Sequence, residues 1–455
     1  MSEITWDLAL IQKYNQSGPR YTSYPTALEF SENYTEADFK AAAERYSERH
    51  LSLYVHIPFC HKLCYFCGCN KVITRHQHKA DIYLDYLEEE VKSRSALFKS
   101  RFVTQIHWGG GTPTYLTEQQ SARLMAMLRT HFNISPEAEI SIEMDPREIE
   151  LSMLDHLRNI GFNRISMGVQ DFNKEVQRVI NREQDENFIR ALLVRARELG
   201  FQSTNLDLIY GLPLQTVESF MFTLQKVIEL DPDRLSVFNY AHLPSRFAGQ
   251  AKIKDFMLPS AETKLTILQK TIETLSAAGY KFIGMDHFAK PDDELAVAQQ
   301  NGVLHRNFQG YTTQEECDLL GLGVSAISLL GDTYAQNQKE LKRYYADVDD
   351  HHTALHKGLV LSREDCLRRD VIKQLICNFK LDFAPIETRY QLDFRQHFAE
   401  DLTLLAPLVK DGLLEISSHG IQVSSKGRLL IRNICLCFDT YSRQQARRQQ
   451  FSKII

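Results

Sequence analysis

Six short apolar segments alternate with longer amphipathic segments between residues 51 and 278, and this alternation strongly limits the possible folds. The apolar segments predict β-strands over Leu51–Ile57, Gln105–Trp108, Glu139–Glu143, Arg164–Val169, Asn205–Tyr210 and Arg234–Asn239. The amphipathic segments predict helices over Asp81–Leu97, Glu118–His131, Leu151–Ile160, Phe188–Leu199, Val217–Leu230 and Glu262–Ala278. Strands separated by helices of this length are joined by right-handed crossovers and form a parallel sheet. The sequence therefore predicts an α/β fold.

Polar or glycine residues stand at or just beyond the carboxyl end of each predicted strand. They are His56, Gly109–Gly111, Glu143, Gln170, Tyr210 and Tyr240–His242. In α/β barrels the active site lies at the carboxyl ends of the strands. Because six strands are fewer than the eight of a closed barrel, we expect an incomplete parallel β/α barrel over residues 51–350. A later apolar stretch, Lys281–Met285, predicts an edge strand.

The regions on either side of the barrel have different patterns. We predict that residues 1–50, which contain the turn-rich segment Gly18–Thr26, form an N-terminal strap over the active site, and a surface strap is the alternative. Residues 351–455 predict a smaller, mainly helical domain with a hairpin around His419 and Gly420, which resembles a winged helix. Arg443, Arg447 and Arg448 could contact DNA there, but a charged, solvated terminal helix explains them better.

Composition excludes several classes of protein. With 43% hydrophobic and 24% charged residues, the chain resembles an ordinary globular protein. A net charge of −5 does not indicate the basic surface that nonspecific binding of nucleic acid requires. No apolar run approaches the roughly 20 residues of a membrane-spanning helix, and the first residues lack the pattern of a secretory signal. We therefore expect a cytoplasmic protein that binds neither nucleic acid nor membrane.

Three cysteines, Cys60, Cys64 and Cys67, are separated by three and then two residues. Three thiolates can bind three corners of a cubane iron–sulfur cluster, and the fourth iron then stays open, because a fully protein-bound cubane takes four cysteines. Zinc sites use two short pairs instead, and nine cysteines in 455 residues are too few for a disulfide framework. Cysteines with this spacing could also pack on one face of a helix, but Pro58 before them and Gly68 after them indicate a loop instead. The remaining cysteines outside this loop predict core positions: Cys317, Cys366, Cys377, Cys435 and Cys437.

A glycine-rich segment, Trp108–Pro113, follows the second predicted strand. Consecutive glycines let the backbone approach a ligand closely and adopt positive φ. One strand after the cysteines, this segment predicts a ligand site beside the cluster.

Together, the cysteine spacing and the glycine segment resemble radical S-adenosylmethionine (SAM) enzymes. Cys69 and the segment Asn307–Tyr311 further resemble the oxygen-independent coproporphyrinogen III oxidases (dehydrogenases) of that superfamily, from about Trp6 to the C-terminus. The resemblance implies a three-quarter barrel, one 4Fe–4S cluster and two SAM molecules. It also implies an oxidoreductase of haem biosynthesis that acts as a monomer on a porphyrinogen and accepts electrons from a protein such as flavodoxin or ferredoxin.

The resemblance also assigns roles to residues. Cys60, Cys64 and Cys67 would bind the cluster. The implied SAM contacts are Tyr54, Phe66, Gly110, Gly111, Thr112, Glu143, Gln170, Arg182, Asp207, Ala241 and Ile327. Cys69, Glu143 and Gln309 are the implied catalytic residues, with Phe308 on the substrate side. Arg20, His56, Lys71 and Arg75 are candidate partners of the substrate carboxylates.

The implied reaction converts two propionate side chains of coproporphyrinogen III into vinyl groups and gives protoporphyrinogen IX. A 5′-deoxyadenosyl radical from SAM abstracts a hydrogen atom, and loss of carbon dioxide and one electron completes each alkene. The alternative is a haem chaperone with the same radical SAM body, but such proteins tend to lack a cysteine at the position of Cys69. A winged-helix nucleic-acid binder is a third hypothesis, which depends on the C-terminal pattern alone.

Overall fold

A computed structural model describes residues 4–314, 317–443 and 451 of the chain. The chain divides into two compact units. The larger unit comprises Phe30–Ile267 and Glu316–Val360, and the smaller unit comprises Met1–Glu29, Leu268–Glu315 and Leu361–Ile455. Within the described residues, no helix is both long and apolar enough to cross a membrane.

The larger unit is built on six parallel strands that follow one another along the chain. They are β1 (His50–Ile57), β2 (Phe102–Gly110), β3 (Asn133–Met144), β4 (Arg164–Gln170), β5 (Ser203–Tyr210) and β6 (Arg234–Asn239). Each strand pairs in parallel with the next. The six predicted strands and the α/β class are confirmed, whereas closure into three-quarters of a barrel stays a prediction.

Helices follow each of these strands, and all except Lys174–Val179, which was not predicted, lie close to their predicted bounds. They are His78–Ser95, Glu118–His131, Ser152–Ile160, Lys174–Val179, Glu186–Glu198, Val217–Leu230 and Ala261–Ala277. Thr117 and Thr216 begin two of them with capping boxes, in which side chain and backbone satisfy each other's hydrogen bonds. Gly161 ends Ser152–Ile160 with φ of 111°, a left-handed conformation that favours glycine. The helix bounds were predictable because local hydrogen bonds set them.

Four further strands extend the sheet beyond β1. They are β7 (Cys317–Leu322), β8 (Ile327–Leu330), β9 (Thr333–Asn337) and β10 (Leu355–Val360). β7 pairs in parallel with β1, while β8, β9 and β10 follow as antiparallel neighbours. With a strand on either side, β1 has buried residues on both faces, although Ser52, Tyr54 and His56 alternate with apolar residues along it.

Short elements complete the larger unit. They are the helices Glu36–Arg45 and Leu341–His351, the 3₁₀ turns Pro113–Tyr115, Pro146–Glu148, Ala248–Lys252 and Asp255–Met257, and the paired strands Phe59–Cys60 and Val72–Ile73.

The smaller unit is mainly helical. Its helices are Leu8–Tyr14, Glu294–Gln300, Arg363–Asn378, Phe383–Tyr390, Phe394–His397, Ala399–Lys410 and Ile431–Phe438, and Ala27–Glu29 is a 3₁₀ turn. Its antiparallel strands are Lys281–Gly284 with His287–Ala289, His305–Asn307 with Gly310–Thr312, and Gly420–Val423 between Lys380–Asp382 and Leu414–Ile416. The strand predicted over Lys281–Met285 and the hairpin around His419 are therefore present. Arg447 and Arg448 lie outside the described residues.

The segment Gly18–Thr26 is attached to both ends of helix Ile431–Phe438 within the smaller unit. Arg432 donates to the carbonyl oxygens of Gly18 and Pro19, and the Tyr21 hydroxyl donates to Asp439 at 3.0 Å. The position of this segment over an active site stays a prediction, as do the three-domain division and the winged-helix assignment.

Candidate active site

The predicted cluster cysteines lie on one loop, residues 60–70, directly after the carboxyl end of β1. We call this segment the cysteine loop. The strands Phe59–Cys60 and Val72–Ile73, at the two ends of the loop, pair in parallel. Val72 N–H donates to the Pro58 carbonyl oxygen at 2.7 Å, and Thr74 N–H donates to the Cys60 carbonyl oxygen at 3.0 Å. All the thiols are free of disulfides; Cys60 and Cys64 are buried, Cys67 is half-buried and Cys69 is exposed.

Neighbouring side chains donate hydrogen bonds to the sulfurs. Thr112 Oγ1 donates to Cys60 Sγ at 3.4 Å, and two guanidinium groups, those of Arg147 and Arg182, donate to Cys64 Sγ at 3.2 and 3.3 Å. Burial raises the pKa of Cys60 to about 11, although the Thr112 hydroxyl opposes this shift. Hydrogen bonds from a hydroxyl and two guanidinium groups stabilise negative charge on the sulfur atoms that accept them. The loop is therefore set in surroundings that suit thiolate ligands.

Cys69 contacts Cys67 rather than standing apart from the cluster ligands. A hydrogen bond from the Cys69 thiol lowers the pKa of Cys67 and raises that of Cys69 itself. Lys71 Nζ donates to the carbonyl oxygens of Cys67 at 3.0 Å and Cys69 at 3.4 Å. Lys71, a candidate substrate partner, is thus a structural support of the loop.

Asp145 holds the two guanidinium groups together just beyond β3. Its carboxylate accepts from Arg147 at 2.6 Å and from Arg182 at 3.0 Å. Burial alone would raise the pKa of Asp145, but Arg182 and Arg147 outweigh it and hold that pKa at about 2. Sequence reasoning assigned no role to Arg147; the signal was its position two residues after a strand-end carboxylate.

The donor set fits an iron–sulfur cubane better than a single metal ion. Over residues 4–314, 317–443 and 451, no three His, Cys, Asp or Glu side chains converge closely enough to hold one ion. A cubane does not require that convergence, because each thiolate binds a different iron. Three free thiols on one loop, two of them with hydrogen bonds from Thr112, Arg147 and Arg182, match this requirement, since hydrogen bonds to the sulfurs also tune cluster potentials.

The glycine segment at the end of β2 packs against the start of the cysteine loop. Gly111 N–H donates to the Ile57 carbonyl at 2.8 Å, and a Cβ atom on Gly111 would lie 2.7 Å from the Pro58 oxygen. Gly110 has φ of 118°, and a Cβ there would lie 2.7 Å from the His56 ring. Only glycine allows these approaches without a backbone shift.

Two carboxylates, Glu143 on β3 and Asp207 on β5, influence each other electrostatically. Glu143 accepts from Gly110 N–H at 3.2 Å and lies 3.3 Å from His107 Nε2. Burial would raise the pKa of Glu143, but the hydrogen bond and charge of His107 lower it below its usual value. Burial and then repulsion by Glu143 raise the pKa of Asp207 to about 6. A cationic ligand nearby would relieve this repulsion.

Gln170 and Arg182 meet at the end of β4. Gln170 is buried with φ of 67°, and its Oε1 has no hydrogen-bond partner in the described part of the chain. Arg182 donates to the Gly168 carbonyl as well as to Cys64 and Asp145. The guanidinium of Arg182 thus already has protein partners, and its role as a SAM ligand stays a prediction.

Aromatic and backbone groups line the remaining strand ends of the larger unit. The Tyr54 ring stacks on His107 with centroids 5.9 Å apart, and its hydroxyl lies 3.1 Å from His56 Nδ1. His56 Nε2 lies 3.0 Å from the Asn70 carbonyl. Ile327 is the first residue of β8. Its carbonyl oxygen lies so close to Gly321 that a Cβ atom on Gly321 would be 2.6 Å from that oxygen.

Gln250, which sequence reasoning missed, joins two of the predicted SAM contacts. Its Nε2 donates to the carbonyl oxygens of Phe66 at 2.8 Å and Ala241 at 3.2 Å, and its Oε1 accepts from Leu243 N–H at 2.6 Å. The side chain is 2% exposed. No sequence signal marks this residue, because its partners are backbone atoms.

Three predicted substrate-side residues lie in the smaller unit. Gln309 is in the turn between His305–Asn307 and Gly310–Thr312, and its Nε2 is buried without a hydrogen-bond partner among the described residues. Phe308, in the same turn, is half-buried. Arg20 forms an ion pair with Asp286 at 2.6 Å.

Comparisons with known proteins agree with this geometry. The family model described as the radical SAM superfamily matches residues 54–227, and the model of the HemN C-terminal domain matches residues 361–430. Curated proteins named oxygen-independent coproporphyrinogen III oxidase are 70% identical in Escherichia coli and 50% identical in Pseudomonas aeruginosa, each covering 100% of both chains.

A solved structure is also similar over nearly the whole chain. The radical SAM enzyme coproporphyrinogen III oxidase (HemN) from Escherichia coli has a TM-score of 0.94 and 68% identity, and covers 97% of this chain and 100% of its own. Identity at this level over nearly the whole of both chains shows membership as well as fold. This chain belongs to the oxygen-independent coproporphyrinogen III oxidase family of radical SAM enzymes.

Proposed function

We propose that this enzyme oxidatively decarboxylates two propionate side chains of coproporphyrinogen III and so forms the vinyl groups of protoporphyrinogen IX in haem biosynthesis. The observation that carries the proposal is the cysteine loop, whose sulfurs accept hydrogen bonds from Thr112, Arg147 and Arg182, in a chain 70% identical to a named oxidase. Its cofactors are one 4Fe–4S cluster and SAM. When bound, they supply one-electron reduction and hydrogen-atom abstraction.

In this proposal Cys60, Cys64 and Cys67 bind three irons of the cluster. Arg147 and Arg182 stabilise the negative charge of the cluster ligands, since both donate to Cys64 Sγ. Asp145 keeps these two cations in place. The charge of the site is thereby balanced by protein groups.

The carboxylates and backbone groups at the strand ends position SAM. Glu143 suits the amino group of SAM, because it is ionised and fixed by Gly110 N–H. Asp207 suits a ribose hydroxyl pair, and the unpartnered Oε1 of buried Gln170 can accept from a ligand. The other contacts in this proposal are Tyr54, Phe66, Gly110, Gly111, Thr112, Arg182, Ala241 and Ile327. Because this set extends over the ends of many strands, from β1 to β8, we propose two SAM molecules.

The substrate reaction needs few protein groups. Each propionate first loses one hydrogen atom from its β-carbon, which leaves one unpaired electron there. Loss of carbon dioxide then breaks the adjacent C–C bond and leaves its electron pair on the α-carbon. Of these three electrons, two form the π bond of the vinyl group and one passes to an electron acceptor. Glu143, Cys69 and Gln309 are the proposed catalytic residues. The buried, unpartnered Nε2 of Gln309 supports a ligand contact, since a buried donor costs free energy without an acceptor. We also propose that the enzyme acts as a monomer and is reduced by flavodoxin or ferredoxin.

An anaerobic assay tests the proposal. Reconstituted enzyme with SAM, a reductant, an electron acceptor and coproporphyrinogen III is expected to release two equivalents of carbon dioxide and form protoporphyrinogen IX. Without SAM, neither product is expected. Transfer of haem to a recipient protein by an enzyme with an intact cluster and no decarboxylation would contradict the proposal and favour the haem chaperone.

Gln250→Leu is expected to weaken SAM binding more than it slows turnover. The substitution leaves the carbonyl oxygens of Phe66 and Ala241 without their buried donor, and each such loss costs about 1–3 kcal/mol. We therefore expect the KM for SAM to rise about tenfold or more, with a smaller change in kcat. The exposed hydrogen bond of Gln269 to Glu273 offers the control Gln269→Leu. A lower melting temperature with an unchanged KM for SAM would contradict the positioning role.

A further inference from the structure

A cavity of about 640 Å³ in the larger unit is lined in part by the cysteine loop. Its lining includes three cationic side chains, those of Lys62, Arg75 and Lys79, together with Leu63, Ile73 and Asn181. We call it the basic pocket. His61, Lys62 and Leu63 of its lining lie on the cysteine loop, whereas Arg75 and Lys79 lie beyond that loop.

The basic pocket is connected directly to the cluster ligands. Leu63 lies immediately before Cys64, and its carbonyl accepts from Asn181 Nδ2 at 2.7 Å. Ile73 pairs with Cys60 across the short strands Phe59–Cys60 and Val72–Ile73. Two residues of the pocket wall therefore adjoin proposed iron ligands. Leu63 is next to Cys64 in sequence, and Ile73 is paired with Cys60.

The charge of the basic pocket is largely uncompensated. Arg75 and Lys79 are exposed, and neither forms an ion pair with any residue that the structure describes. Lys62 forms an ion pair with Glu148 at 2.7 Å. Because an exposed ion pair contributes little free energy, a carboxylate of a partner protein can replace Glu148. No aspartate or glutamate lines the pocket. In a chain of net charge −5, this is a local positive surface.

An exposed apolar residue stands among these charges. Ile73 is 42% exposed in the wall of the pocket. Small interfaces that combine a little apolar area with complementary charge suit transient redox partners, which need fast association rather than tight binding. Positive charge around such a residue therefore favours an acidic protein surface.

We propose that the basic pocket is the docking surface for an acidic electron-carrier protein that reduces the cluster. This inference depends on the proposed function, because only a cluster that must be reduced requires such a partner. At this surface no bond forms or breaks; one electron leaves the reduced carrier, which becomes oxidised by one electron, and enters the enzyme through the cysteine loop. Lys62, Arg75 and Lys79 attract the carrier, and Ile73 contacts it.

The test uses reconstituted holoenzyme and reduced flavodoxin as the probe. In the double variant K62E/K79E, the affinity for flavodoxin at low ionic strength is expected to fall about tenfold or more and to lose most of its salt dependence. Titration calorimetry measures the affinity, and stopped-flow absorbance measures the oxidation of the flavin. With dithionite as the reductant, the single variant K79E, which lies outside the cysteine loop, is expected to keep the wild-type rate. K79E alone, twelve residues from the nearest proposed ligand, is expected to show part of the same loss.

A matched control carries the same change of charge elsewhere. Lys40 and Lys99 are exposed and precede the amino ends of β1 and β2, so K40E/K99E is expected to bind flavodoxin like the wild type. Equal losses in both double variants, or unchanged binding in K62E/K79E and K79E, would overturn the docking surface. A raised KM for coproporphyrinogen III with dithionite would overturn it in favour of substrate binding. If wild-type enzyme fails with both reductants, the proposed function fails, while the affinity measurement still decides the docking surface.

Discussion

Replacing Cys60, Cys64 or Cys67 singly with serine will remove the 4Fe–4S cluster and reduce turnover below detection. A serine hydroxyl is a poor ligand for iron compared with a soft thiolate. The fold will persist, because serine is close to cysteine in volume and the three side chains form no disulfide. Iron content, the absorbance of the cluster and the anaerobic electron paramagnetic resonance spectrum with and without SAM provide the measurements.

Two other cysteines provide controls for this result. Cys69→Ser is expected to keep the iron and to lower the rate, since Cys69 contacts Cys67 and is outside the proposed ligand set. Cys317→Ser, on β7, is expected to change neither. A normal cluster in all three ligand variants would refute the assignment, and loss of the cluster in Cys69→Ser would show that Cys69 is needed for assembly.

The central fold could be predicted because the information was local. Apolar residues recur at every second position of β1, and Thr117 and Thr216 begin helices at the predicted residues. β7 was missed for a physical reason. It contains Asp318, which is 1% exposed and is stabilised by Arg101 at 2.9 Å, 217 residues away in sequence. A buried charge looks like a surface residue until its partner is known.

The candidate site likewise contains some residues that the sequence could indicate and others that it could not. The cysteine spacing and the glycine segment are short motifs, so the cluster ligands and their neighbours could be named from sequence. Arg147 and Gln250 could not, because they act on Cys64 and Phe66 from 83 and 184 residues away. Gln250 binds backbone oxygens, which every residue has, so no residue type at Phe66 or Ala241 could have indicated it.

Asp145→Ala is the substitution expected to destabilise the larger unit most. It leaves two guanidinium groups, those of Arg147 and Arg182, without the carboxylate that both contact, and all three side chains are less than a tenth exposed. Breaking a buried ion pair by removing one partner costs about 3–5 kcal/mol. The measurement is the denaturation midpoint of cofactor-free protein at neutral pH. Asp155→Asn, which removes an exposed partner of Arg195, is the control and is expected to cost less than about 1 kcal/mol.

The pH dependence of stability gives an independent check on the same carboxylate. The pKa of Asp145 is held at about 2 in the folded protein, below its value in the unfolded chain, so the unfolded state binds the proton first as pH falls. The stabilisation is therefore complete above roughly pH 4 and is lost as pH falls toward 2, amounting to on the order of 2 kcal/mol. Asp145→Asn removes this titration, so its denaturation midpoint should fall less steeply than that of the wild type between pH 4 and 2. Parallel curves for the two proteins would contradict the role assigned to Asp145, because the carboxylate would then titrate equally in the folded and unfolded states.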